Sequence, residues 1–100
     1  MAREFLLKQG YEILEANRRF SKFCEIDIIA LDKDTLVFAE VKTRKSAYDP
    51  LEAITKEKYN HIRNGLYLYL MENPEYKKYR IDAIAVLLKP QISIRHLKNI

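Results

Sequence analysis

The spacing of apolar residues changes period several times along the chain, and each change predicts an element. In "AREFLLKQG", Phe5, Leu6 and Gln9 fall at helical spacing and Gly10 offers a left-handed stop, which predicts a short first helix. "YEILEANRRF" alternates, with Tyr11, Ile13 and Glu15 opposed to Glu12, Leu14 and Ala16, and reads as a strand running into a basic loop. Residues 25–42, "EIDIIALDKDTLVFAEVK", read as two apolar strands about a tight turn at Lys33 and Asp34. Start signals then coincide, with Asp49 as N-cap, Pro50 at the first helical position and Glu52 three residues after the cap. They predict a helix of about five or six turns that stops at Asn73, because Pro74 disfavours helical geometry in the residue before it. "YRIDAIAVLL" reads as a buried strand, Lys89 and Pro90 as a turn, and "QISIRHL" as a final edge strand. The order is α-β-β-β-α-β-β, an α/β (α+β) fold with a mixed sheet, in a single domain over residues 1–100.

Ionisable residues interrupt the hairpin. A turn centred on Lys33 and Asp34 pairs Asp32 with Thr35, and the same register extended sets Asp27 against Glu40 and Glu25 against Lys42. Period-two alternation then puts those four side chains on one face and Ile26, Ile28, Val37, Ala39 and Val41 on the other, so that one face is core and the other carries chemistry. Opposed carboxylates repel by roughly 1 kcal/mol in water and about 4 kcal/mol at an intermediate dielectric. A hard divalent cation such as magnesium removes that conflict, which makes Asp27 and Glu40 candidate metal ligands. Lys42 would sit beside them, where an ammonium can orient a nucleophile or stabilise developing negative charge. The same spacing also describes a solvated face of surface ion pairs, and a bulged turn would shift the register.

Composition narrows the class without choosing a function. One hundred residues with 48% hydrophobic content, two glycines and three prolines suit one compact core. The six-residue apolar run Ala83–Leu88 is far short of a membrane span, and no secretion signal is visible, so a cytoplasmic protein without membrane contact is expected. Cys24 is the single cysteine, which excludes an internal disulfide and a thiolate zinc cluster. Eighteen Lys and Arg against fourteen Asp and Glu give a net charge of +4, a mild bias towards a polyanion.

The string "EIDIIALDKDTLVFAEVKTR", with "FLLKQGYEIL", "EAITKEK" and "RIDAIAV", resembles the YraN-type uncharacterised proteins, a branch of the PD-(D/E)XK restriction-endonuclease-like superfamily related to archaeal Holliday junction resolvases. The resemblance implies the restriction-endonuclease-like fold. It matches Asp27 to the superfamily's acidic residue and Glu40, Val41 and Lys42 to its E-x-K triplet, residues that bind metal and catalyse in active members. It matches Glu25 to the acid next to the metal site and places Cys24 where relatives carry glycine. The Gly-Glu that relatives carry in the first helix would fall upstream of Met1, which implies either that the start of this chain is truncated or that the site lacks that carboxylate. A magnesium- or manganese-dependent endodeoxyribonuclease acting on duplex or branched DNA is implied, with a homodimer suggested by the resolvases. The alternative is a catalytically weak or inactive nucleic-acid-binding module of the same fold.

Further candidates come from position. Leu51, Ile54, Ile62, Leu66 and Tyr69 form one helical stripe with Lys58 near its centre, and the resemblance places a recurrent lysine there. Lys58 therefore reads either as reaching the acidic cluster or a substrate phosphate, or as snorkelling to water. Gly65 shares the stripe and permits close helix–sheet approach. Arg44 and Lys45 after the third strand, with Arg18, Arg19 and Lys22 in the loop before the second, are candidates for gripping DNA phosphates. His61 and His96 read as surface residues, Tyr67, Tyr69, Tyr76 and Tyr79 as the rim of the core, and Asp82 as a buried polar anchor.

Overall fold

The computed structural model describes residues 1–22, 24–45 and 54–100. Helix α1 (Ala2–Lys8) is followed by strands β1 (Glu12–Ser21), β2 (Cys24–Asp32) and β3 (Thr35–Arg44), helix α2 (Lys56–Glu72), and strands β4 (Lys78–Leu87) and β5 (Ser93–Leu97). The predicted α-β-β-β-α-β-β order is found. The sheet runs β1-β2-β3-β4-β5; β3 and β4 are parallel and the other neighbours antiparallel. A parallel pair needs a crossover, and the segment between these two contains α2.

Local chemistry explains most boundaries. Gly10, at φ 92°, turns the chain from α1 into β1. The hairpin turn has Lys33 at φ 57°, and tight two-residue turns demand a positive φ at that place. From it the expected register runs from Asp32–Thr35 to Ile28–Ala39. Two expectations about boundaries are corrected. Arg18 and Arg19 belong to β1, paired with Ile26 and Glu25, and not to a loop. The predicted cap at Asp49 with Pro50, Leu51 and Glu52 lies outside the described residues, but Ile54 and Thr55 are not helical. The long helix starts at Lys56 because the Thr55 side chain accepts the Lys58 N–H at 3.0 Å, as a helix N-cap does.

Both faces of the sheet are covered, so the expectation of one apolar and one chemical face fails. On the α2 side, Ile62, Leu66 and Tyr69 close over Cys24, Ile26, Ile29, Leu36, Phe38 and Ile81. On the α1 side, Ala2 and Leu6 close over Tyr11, Ile28, Ala30, Val37, Ala39 and Ile84. Residues two apart on a regular strand share a face, yet Ile26 and Ile28 lie in different clusters. The alternation of β2 therefore breaks at Asp27. Gly65 allows the close approach of α2 that its position predicts: a Cβ there would lie 2.9 Å from Cys24 Sγ and 3.1 Å from the Phe20 ring. Cys24 has no positive φ and extends as ordinary strand, so replacing glycine there costs no backbone strain.

The α1 side also buries charge. Asp82 is fully buried, and Oδ1 accepts from Arg80 Nε and from the Asn99 amide, both at 3.0 Å. Its Oδ2 lies 2.7 Å from His96 Nε2. Arg80 reaches on to Asp32 at 3.0 Å and to the Tyr11 hydroxyl at 2.6 Å. His96, expected at the surface, is 9% exposed and sits edge-on to Phe5 and Tyr11. The buried anchor expected at Asp82 is thus found, with His96 as a partner. Burial opposes the Asp82 charge, but the bonds from His96, Arg80 and the Asn99 amide outweigh it and hold the pKa below the ordinary value.

Two stability experiments follow. Asp82→Ala leaves Arg80 and His96 without their shared acceptor and is expected to cost about 3–5 kcal/mol in urea unfolding at pH 7. Because the folded pKa of Asp82 is depressed, its stabilisation is present above the unfolded pKa and lost as pH falls through the folded one. Wild type should therefore lose more stability than the variant below about pH 4. Gly65→Ala should cost about 1–3 kcal/mol, and Cys24→Gly in the same chain should recover part of it; purely additive losses would refute the contact.

Candidate functional site

Glu40 lies two-thirds of the way along β3, bonded to β4 opposite Ala83, and is 3% exposed. Lys42, two residues on along the same face, brings Nζ to 3.3 Å from Oε1, and Lys58 in the first turn of α2 brings Nζ to 3.5 Å from the same atom. Lys58 thus lies within ion-pair distance of the acid while its side chain stays 36% exposed. The other oxygen, Oε2, has no hydrogen-bond partner among the described residues. Burial is the main reason that the Glu40 pKa is raised, with the Asp27 charge next; Lys58 and Lys42 pull the other way and are outweighed. Both lysines are partly exposed, so water weakens their hold on the acid.

Asp27 marks the place where the β2–β3 ladder ends. The paired residues stop at Ile28–Ala39, and the direct opposition of Asp27 to Glu40 that the extended register predicts is not formed. Instead Asp27 Oδ2 accepts the Val41 N–H at 2.8 Å, a side-chain acceptor in place of a main-chain one. The carboxylate therefore rests against the peptide that joins Glu40 to Val41. It lines an open cavity of about 440 Å³ with Ala2, Arg3, Ala16, Asn17, Ile28 and Val41. The two acids approach the same short piece of β3, close enough for the Asp27 charge to raise the Glu40 pKa. Carboxylate oxygens suit a hard cation, and flanking ammonium groups suit phosphate.

The structure brings Asp27, Glu40, Lys42 and Lys58 into one neighbourhood but leaves Glu25 apart. Glu25 forms an ion pair with Arg19 at 2.8 Å, and among the described residues no three His, Cys, Asp or Glu side chains converge as a metal cluster. Arg19 also donates to the Lys22 carbonyl at 3.3 Å. Arg44 donates to the Thr43 carbonyl at 3.0 Å, and Lys45 is exposed. Antiparallel pairing places the end of β1, the start of β2 and the end of β3 together, so these basic residues share one end of the sheet with the acids. Arg18 is held differently, by Glu15 at 2.9 Å and Glu72 at 3.4 Å, with its guanidinium 4.7 Å from the centre of the Phe20 ring. Sequence reasoning passed over Arg3 and Asn17; an asparagine, a residue type that tolerates left-handed backbone, inside an alternating stretch was the available signal for Asn17.

Comparison with known proteins agrees with the resemblance read from the sequence. The family described as "Uncharacterised protein family UPF0102" matches residues 1–86. A UPF0102 protein of Natranaerobius thermophilus is 39% identical over 105 residues, covering 99% of this chain and 88% of the relative. One from Francisella tularensis subsp. tularensis is 45% identical over 100 residues, covering 96% and 83%. Among solved structures, Hjc of Archaeoglobus fulgidus, a Holliday junction resolvase from an archaeal hyperthermophile, superposes with a TM-score of 0.51. It is 21% identical, with 96% of this chain and 71% of that chain covered, a likeness of fold.

The raised pKa of Glu40 means that its charge opposes folding at neutral pH. Glu40→Gln is therefore expected to melt, in chelator, at or above the wild-type temperature. A melting temperature lower by several degrees would show instead that the two lysines outweigh burial.

Proposed function

The chain belongs to the uncharacterised protein family UPF0102, and we propose that it is a metal-dependent nuclease that hydrolyses DNA phosphodiester bonds, including those of branched or junction DNA. The observation that carries this reading is Glu40 Oε2, a carboxylate oxygen in a side chain 3% exposed, with no hydrogen-bond partner among the described residues. Such an oxygen is costly for stability and is an apt ligand for a cation. Glu40 Oε2 and Asp27 Oδ1 are the oxygens that would hold magnesium or manganese. Two carboxylates suffice, because magnesium keeps several waters and is completed by substrate phosphate. Bound there, the ion would supply Lewis-acid charge and a more acidic water.

The chain's own groups do the rest. Lys58 pairs with Glu40 Oε1 from the helix side and would leave Oε2 for the ion. Lys42 is more than a quarter exposed and can exchange Glu40 Oε1 for a phosphate oxygen, stabilising negative charge as the phosphorus is attacked. Arg19, Lys22, Arg44 and Lys45, at the same end of the sheet, would hold flanking phosphates. The fold shared with a Holliday junction resolvase supports branched DNA as a substrate, and a homodimer as the working unit is part of the same proposal. A second reading, a DNA-binding module without turnover, is favoured by the engagement of Asp27 Oδ2 with Val41 and of Glu25 with Arg19.

Purified protein incubated with labelled duplex, single-stranded and four-way-junction DNA plus magnesium or manganese should cut at least one of them. Asp27→Ala, Glu40→Ala and Lys42→Ala should each lower the rate by about 100-fold or more. Cutting by Asp27→Ala at the wild-type rate would overturn the catalytic assignment. Salt-sensitive binding without cutting would establish the second reading.

A further inference from the structure

The α1 side of the site holds a feature that the nuclease reading does not use. Asn17 is in the left-handed region at φ 54°, in the middle of β1. A non-glycine residue in that conformation within a strand is an outlier, and outliers held by surrounding structure concentrate at ligand sites. The pairs Ala16–Ile28 and Arg18–Ile26 place Asn17 across from Asp27, so β1 kinks where β2 loses its alternation. Between the two kinks and the first turn of α1 lies the cavity of about 440 Å³.

Its lining has three chemistries. Arg3 contributes a cation, Asn17 and Asp27 supply polar groups opposite one another, and Ala2, Ala16, Ile28 and Val41 form an apolar floor. A cation, a small apolar floor and a side-chain amide match the parts of one nucleotide unit: phosphate, sugar and the polar edge of a base. The size falls within the range of small-ligand pockets. A purely apolar ligand would leave the Arg3 guanidinium and the Asn17 amide unmatched.

We propose that this cavity seats one sugar-phosphate unit of the DNA strand, with Arg3 holding its phosphate and Asn17 contacting it opposite Asp27. The proposal rests on the reading of the ligand as DNA and assigns the strand's approach to the α1 side of the sheet. Arg3 and Asn17 bind substrate there, and the kink at Asn17 keeps the cavity open.

Anisotropy of a labelled single strand and a labelled four-way junction, titrated with protein in chelator, tests this without any need for cleavage. Arg3→Gln should weaken binding about tenfold and lower the slope of log K against log salt by about 1. Ala16→Leu changes no charge but fills the cavity; it should weaken binding to a similar extent with the slope unchanged. Asn17→Gly, which keeps the left-handed backbone and removes the amide, should weaken binding with the melting temperature kept. Wild-type affinity in both Arg3→Gln and Ala16→Leu, with DNA bound, overturns the proposal and leaves the nuclease reading intact. Binding that falls in these variants while wild type cuts nothing with magnesium or manganese supports the cavity and defeats the nuclease reading. No binding by wild type overturns the proposal.

Discussion

Strand β3 is bonded along both edges and covered on both faces, and the rest of the molecule is arranged around that confinement. Leu36, Val37, Phe38 and Ala39 meet it with apolar side chains, all at or below 1% exposure. Glu40 does not. A carboxylate in that setting must be paired, neutralised or ligated. The two ammonium groups near Oε1 meet the need in part, and their shortfall is visible both in the raised pKa and in Oε2, which has no hydrogen-bond partner among the described residues. A chain under selection for stability alone has a simple remedy, an apolar residue at this position.

The break at Asp27 brings a second carboxylate to the same point of β3. Were β2 to continue its alternation, Ile28 would join Ile26 under α2, and the ladder would close over the Glu40–Val41 peptide. Instead Asp27 takes the Val41 N–H onto its side chain, and Asn17 on the neighbouring strand adopts a left-handed conformation across from it. Irregularities on adjacent strands at one level of a sheet reinforce each other: each relieves the mismatch that the other would impose on the pairing. A sheet otherwise closed by two helices thereby gains an opening beside its most strained charge.

How much of this was legible follows from which signals are local. The hairpin register depended on the turn residues Lys33 and Asp34 and was recovered as far as Ile28–Ala39. The element order, the close approach at Gly65 and the buried role of Asp82 were also readable, because each rests on period or on a single anomalous residue. The division of the hairpin into faces was not, since "EIDII" is compatible with unbroken alternation and nothing local announces a switch at Asp27. Arg18 and Arg19 looked like loop because basic residues end many strands; packing of Arg18 on Phe20 and pairing of both residues with β2 carried the strand through them. His96 looked exposed on an edge strand, and only the fold shows that Asp82 on β4 meets it.

Two buried carboxylates make the functional contrast concrete. Asp82 and Glu40 are both buried on the central part of the sheet. Asp82 accepts from a guanidinium, an imidazole and a backbone amide, and its pKa is depressed in spite of burial. Glu40 has two partly exposed ammonium groups on one oxygen and, among the described residues, no hydrogen-bond partner on the other, and its pKa is raised. The same fold therefore shows that it can satisfy a buried acid fully when the acid's task is to hold strands together. That Glu40 is left unsatisfied a few residues away is hard to ascribe to a general tolerance for buried charge. It is the arrangement expected of a side chain whose remaining partner arrives from outside the chain.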